Sequence, residues 1–147
     1  MILEDIEKVL ERDGMFISTT SGVSMYPLLR HRRDTIIVTP SAERLKRYDV
    51  ALYRRGDSYV LHRVLRVLPD SYIIRGDNCI LLEHIKKEEI LGKLTGIYRR
   101  DKEVNMQGAG YKLYSWFIVL VNPLVRLKLK LKPRLTRVIK RIIKRKK

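Results

Sequence analysis

Residues 49–67 read Asp-Val-Ala-Leu-Tyr-Arg-Arg-Gly-Asp-Ser-Tyr-Val-Leu-His-Arg-Val-Leu-Arg-Val, and they are the clearest indication of the fold class. Two runs rich in Val, Leu and Tyr flank a polar cluster that contains a glycine. Short apolar runs on either side of such a cluster are typical of a β-hairpin. The segment therefore predicts two antiparallel strands, residues 49–54 and 59–67, joined by a tight turn.

Four more segments of the chain have the same character. They are short, rich in Val, Ile, Leu, Tyr or Thr, and separated by turn-like clusters such as Ser-Gly and Gly-Asp-Asn. These predicted strands are residues 15–20, 34–39, 72–75 and 92–99. Strands at such close spacing predict a mainly β fold, an antiparallel and partly closed sheet.

The charge of the chain is divided unevenly. The 147 residues carry a net charge of +16, and residues 1–103 hold 19 basic and 16 acidic side chains. Residues 104–147 hold 13 basic side chains and no acidic one. The length suits one compact domain, and the single Cys79 excludes an internal disulfide and a Cys-rich zinc site. We therefore expect a near-neutral catalytic or binding domain, residues 1–110, and a cationic tail, residues 111–147.

The tail combines an apolar run with a basic amphipathic segment. Residues 113–125 form a run of 13 mostly apolar side chains that includes Trp116. As a helix this run would be about 20 Å long, which is short for a membrane span. From residue 126 onward, Leu, Val and Ile recur among Lys and Arg. This pattern favours an interfacial anchor on an anionic membrane. The alternatives are a core helix followed by a soluble basic end, and, ranked lower, a nucleic-acid contact.

The N-terminal residues predict a short helix. Leu3, Ile6, Val9 and Leu10 fall on one face of residues 3–12, and Gly14 suits the end of the helix. The first residues lack the basic and apolar regions of a secretory signal. We therefore expect a cytoplasmic protein that lies peripherally on the inner face of the membrane.

Three side chains have the chemical types of a nucleophile, a base and an orienting carboxylate. Ser24 follows a predicted strand, His62 lies within one, and Asp77 follows another. Ser, His and Asp form the catalytic triad of many serine hydrolases. Each residue taken alone has a simpler explanation, since Ser24 could cap a helix, His62 could be a polar residue on a strand, and Asp77 could form a turn.

Four motifs in order resemble the Ser-dyad peptidases, the family of type I signal peptidases and self-cleaving LexA-type repressors. Residues 21–29, Ser-Gly-Val-Ser-Met-Tyr-Pro-Leu-Leu, resemble the family's nucleophile motif. Residues 48–53, Tyr-Asp-Val-Ala-Leu-Tyr, resemble its next motif. His-Arg-Val at residues 62–64 and Gly-Asp-Asn at residues 76–78 are similar to the archaeal and endoplasmic-reticulum type of signal peptidase. The resemblance covers about residues 14–99.

The resemblance implies a signal-peptidase-like fold and a serine peptidase in which Ser24 attacks, His62 is the general base and Asp77 supplies the carboxylate. It implies a peptide or protein substrate with small residues before the cut, and no metal or cofactor. A His base starts near pKa 6.5 and needs less adjustment than a Lys base. The sequence departs from signal peptidases at Gly22, where they carry a Ser, and Glu83 is only a loose counterpart of their second acidic residue.

Two other classes of function remain open at this stage. A catalytically silent peptidase fold could bind peptides or membranes, although the retained Ser, His and Asp argue against it. A regulator of the LexA type would need a DNA-binding domain that this N-terminus is too short to form, so nucleic acid is an unlikely partner. His31 and His84 are interpreted as surface residues.

Overall fold

The computed structural model describes residues 5–121. These residues form one antiparallel sheet of eight strands, with a helix before it and a helix after it. The strands are β1 (Phe16–Thr19), β2 (Asp34–Thr39), β3 (Val50–Arg55), β4 (Ser58–Val67), β5 (Ser71–Arg75), β6 (Glu83–Lys86), β7 (Ile90–Arg99) and β8 (Lys102–Glu103). The helices are α1 (Ile6–Asp13) and α2 (Ala109–Leu120), and a single 3₁₀ turn covers Lys87–Glu89.

The strand order is β1-β2-β7-β3-β4-β5-β6, with β8 paired to β7. The predicted mainly β, antiparallel architecture is confirmed. The expectation of a partly closed sheet is wrong, since among residues 5–121 the sheet is open, with β1 and β6 at its two ends. The six strands expected from the sequence are all present, and β6 and β8 were not predicted.

The central hairpin explains why both faces of the sheet are covered. Arg55 pairs with Ser58 across the turn, as the sequence predicts. Along β3, Val50 and Leu52 pack in one apolar cluster, whereas Ala51 and Tyr53 pack in a second one. Successive side chains of a strand point to opposite faces, so a strand with four consecutive buried residues must separate two cores.

The two helices differ in how they meet the sheet. Helix α1 contacts β1, buries Leu10 and ends at Gly14, whose N–H donates to the Leu10 carbonyl. The predicted helix over residues 3–12 is thus present, although residues 3 and 4 lie outside the described range. Helix α2 begins before the expected domain boundary at residue 110, and its Ser115 and Ile118 are buried.

The basic amphipathic segment predicted for residues 126–147 lies outside the described residues, as does the end of the apolar run 113–125. Within residues 5–121, neither helix is long and apolar enough to cross a bilayer.

Candidate active site

Ser24 lies in a loop that connects β1 to β2 and is closed by side chains at both of its ends. The Thr20 hydroxyl donates to the Arg30 carbonyl (2.7 Å), and the Arg30 N–H donates to the buried Asp34 carboxylate (2.9 Å). The Gly22 N–H donates to Nδ1 of His31 (2.9 Å), and Gly22 has a φ of 86°, which glycine adopts without strain. His31, expected to be a solvated surface residue, thus helps to fix the loop that carries Ser24.

Gly76 lies where the Ser24 loop and His62 come close to each other. A methyl group placed on Gly76 would lie 2.6 Å from the Ser24 carbonyl oxygen, 2.7 Å from Sγ of Cys79 and 2.9 Å from Nε2 of His62. These three atoms therefore surround the Gly76 α-carbon so closely that a side chain has no room. The Asn78 N–H donates to the same Ser24 carbonyl (2.8 Å), which joins the Gly-Asp-Asn segment to the Ser24 loop.

His62 is buried in β4, and its ring is held from one side. Its Nδ1 lies 2.9 Å from a carboxylate oxygen of Glu83 and 3.0 Å from the Tyr53 hydroxyl. An ionised carboxylate only accepts hydrogen bonds, so we assign the ring proton to Nδ1 and the lone pair to Nε2. Burial lowers the pKa of His62 below its ordinary value, and the charge of Glu83 opposes this shift.

The other ring nitrogen, Nε2, is buried and has no hydrogen-bond partner among the described residues. The Ser24 hydroxyl is therefore not bonded to it in this conformation, although the Ser24 main chain is close by. A buried polar atom without a partner is uncommon and is frequently found at a functional site. An unpaired imidazole lone pair close to a serine is the arrangement that general-base chemistry needs, since the lone pair is free to accept a proton.

Asp77, the expected partner of His62, makes different contacts. Its two carboxylate oxygens accept hydrogen bonds from Nε (2.7 Å) and Nη2 (2.8 Å) of Arg63, and the Tyr114 hydroxyl donates to it as well (3.0 Å). Arg63 also donates through Nη1 to the Tyr48 carbonyl and to the Ser115 hydroxyl, both at 2.9 Å. The structure thus places Glu83, not Asp77, on Nδ1 of His62.

The alternation of side chains along β4 separates these two carboxylates. His62 and Arg63 are consecutive, so they project from opposite faces of the sheet. His62 shares its face with Tyr53, which packs in the second apolar cluster, and Arg63 lies beside Tyr114, which packs against the first. Because Arg63 takes both oxygens of Asp77, the carboxylate that contacts His62 comes from β6.

A cleft of about 360 Å³ opens beside Ser24. Its apolar side chains include Phe16, Ile36 and Leu52, and residues 18–22 form part of its wall. This volume lies within the usual range for ligand-binding clefts. Ser24 therefore adjoins an apolar cleft on the face of the first apolar cluster, whereas the described residues that line this cleft do not include His62, which lies on the other face of β4.

The remaining polar candidates make simpler contacts. His84 is hydrogen-bonded through Nε2 to Ser71 (2.7 Å) at the surface. Burial raises the pKa of the Cys79 thiol, so the reactive thiolate is disfavoured. Within residues 5–121 no three His, Cys, Asp or Glu side chains are grouped in a way that could hold a metal ion.

Comparison of the chain with protein-family models and with curated proteins gave no match.

Proposed function

We propose that the protein is a serine endopeptidase in which Ser24 is the nucleophile and His62 the general base. The observation that carries the proposal is the unpaired, buried Nε2 of His62, which lies together with the Ser24 main chain against Gly76. The motifs around Ser24, His62 and Gly76 resemble signal peptidases in the same order along the chain. Their proximity in space supports that resemblance independently of the sequence.

The reaction would be acyl transfer. The Ser24 side chain rotates toward Nε2 of His62, its oxygen attacks the carbonyl carbon of the peptide bond, and Nε2 takes the proton. Nε2 then donates that proton to the leaving amine, and the acyl group remains on Ser24 as an ester. Water, activated by the same nitrogen, hydrolyses the ester and releases the acid product.

The carboxylates of Glu83 and Asp77 have different roles in this proposal. Glu83 would hold the His62 ring in the productive tautomer and stabilise the imidazolium that forms during attack. Asp77 would act as a positioning residue, since its bonds to Arg63 and Tyr114 fix the segment that includes Gly76. The sequence-based role of Asp77 as the partner of His62 is thereby replaced.

The cleft and the sheet end favour an extended peptide as the substrate. Among the described residues, strand β1 pairs with β2 alone, so its other edge can take an added strand by main-chain hydrogen bonds. The apolar lining beside Ser24 would receive apolar side chains near the cut. The preference for small residues remains a prediction of the resemblance. A leader or precursor peptide near the cytoplasmic face of a membrane is the substrate class and location that we propose.

The test uses a fluorophosphonate probe, which labels activated serines, together with cleavage of a mixture of peptides. We expect Ser24→Ala to abolish both signals and His62→Ala to reduce them at least about a hundredfold. Ser58→Ala and His84→Ala are matched controls, since they remove the same side chains at exposed positions that do not line the cleft. Undiminished cleavage by Ser24→Ala would overturn the proposal, and a wild-type protein that neither labels nor cleaves would indicate a silent binding module.

A further inference from the structure

Helix α2 has two faces of opposite character. Tyr114, Ser115 and Ile118 face the domain, where Tyr114 bonds to Asp77 and Ser115 to Arg63. The other face carries four large apolar side chains that are 50% to 64% exposed, namely Leu113, Trp116, Phe117 and Leu120. Their spacing of three, four and seven residues aligns them along one side of the helix.

The charge of the residues that follow this helix in the sequence indicates what covers its exposed face. The chain continues from the helix into residues 122–147, which contain 12 basic and no acidic side chains. A helix with Trp, Phe and Leu on one face, followed in the sequence by a cationic segment, suits a lipid membrane with an apolar interior and anionic headgroups. A second copy of the chain fits less well, because it would bring two such cationic segments together.

We propose that helix α2 docks on an anionic lipid surface through Leu113, Trp116, Phe117 and Leu120 while its inner face stays bound to the Arg63–Asp77 pair. The helix then lies in the plane of the interface. Because the inner face holds the segment that follows β5, docking fixes the active site at a defined height above the lipid surface. This inference does not depend on the chemistry of Ser24.

The experiment uses Trp116, the only tryptophan of the chain, as its reporter. The full-length protein is mixed with vesicles of phosphatidylcholine and phosphatidylserine, or of phosphatidylcholine alone. We expect the anionic vesicles to shift the Trp116 emission to the blue and lipids with brominated chains to quench it. High salt should weaken binding, since the attraction between the basic segment and the headgroups is screened.

Paired variants separate the helix from the basic segment. Leu113→Ser combined with Phe117→Ser should lower the affinity for anionic vesicles at least about tenfold, because each change removes exposed apolar area. Met15→Ser is the matched control, since Met15 is similarly exposed (45%) beside β1 and should leave the affinity unchanged. Thermal unfolding of each variant checks that the fold is kept.

Two outcomes would overturn the inference. Sedimentation with anionic vesicles without any change in Trp116 emission would mean that the basic segment binds and α2 does not. A blue shift that appears with rising protein concentration and no lipid would assign the face to a second copy. Ser24→Ala should keep the full lipid response, so failure of the peptidase proposal and failure of this one are distinguishable.

Discussion

Replacing Asp77 by asparagine should damage the stability of the protein far more than its chemistry. Arg63 and Asp77 are 0% and 2% exposed, and two parallel hydrogen bonds join them. The substituted side chain would present an amide N–H to the guanidinium and leave a buried positive charge without its counterion. Breaking a buried ion pair from one side costs about 3–5 kcal/mol, which for a domain of this size corresponds to a fall of roughly 10–15 °C in Tm.

The assay combines thermal and urea unfolding with the rate of fluorophosphonate labelling, measured at a temperature where the variant is still folded. The folded Asp77→Asn protein should label within about tenfold of the wild-type rate, because the carboxylate on His62 is that of Glu83. Glu83→Gln is the variant to compare with Asp77→Asn, since it changes the carboxylate that contacts His62. Glutamine keeps an oxygen that can accept the Nδ1 proton of neutral His62 and leaves no buried charge unpaired, so we expect a loss of about 1 kcal/mol in stability and of about a hundredfold in labelling. An Asp77→Asn protein with unchanged Tm and lost labelling would refute this division of roles.

The remaining predictions concern the ionisation of His62 and the space around Gly76. The acid limb of kcat/KM reports protonation of His62, whose pKa is lowered by burial, so its midpoint should lie below about pH 6.5. Glu83 raises this pKa and Arg55 lowers it, so Glu83→Gln should move the limb to lower pH and Arg55→Gln to higher pH, the second shift shrinking in salt. If the acid limbs of Glu83→Gln and Arg55→Gln moved in the same direction, this assignment would be contradicted. Gly76→Ala should lower labelling at least about tenfold, because its methyl group would overlap the Ser24 carbonyl and Nε2 of His62; a wild-type labelling rate in this variant would show that the space is not needed.

Much of the sheet follows from local pattern. Strands β2 to β5 match the predicted segments within about one residue, since short apolar runs bounded by turn-like clusters specify them without distant contacts. Strand β6, Glu83–Lys86, was missed because it is short and mostly polar, and only its pairing with β5 makes it a strand. Because β6 was not predicted, the position of Glu83 in the sheet was not predicted either.

The sequence alone did not show which carboxylate, that of Asp77 or that of Glu83, contacts His62. Asp77 and Glu83 both follow β5, and the motif alone favoured Asp77. One signal was available, since the alternation along β4 already puts His62 and Arg63 on opposite faces. Which acid lies on which face depends on the path of the chain after β5, and that path is set by contacts with the Ser24 loop and with helix α2.

The amino-acid sequence alone predicted the mainly β antiparallel fold, the Ser24 and His62 side chains of the site that we propose, and the uneven division of charge along the chain. These properties depend on short-range periodicity and on composition, which no tertiary contact alters. Three features required the folded structure: Glu83 contacts His62, Arg63 binds Asp77, and α2 buries one face and exposes the other. They depend on side chains far apart in the chain, which the packing of the two cores brings together.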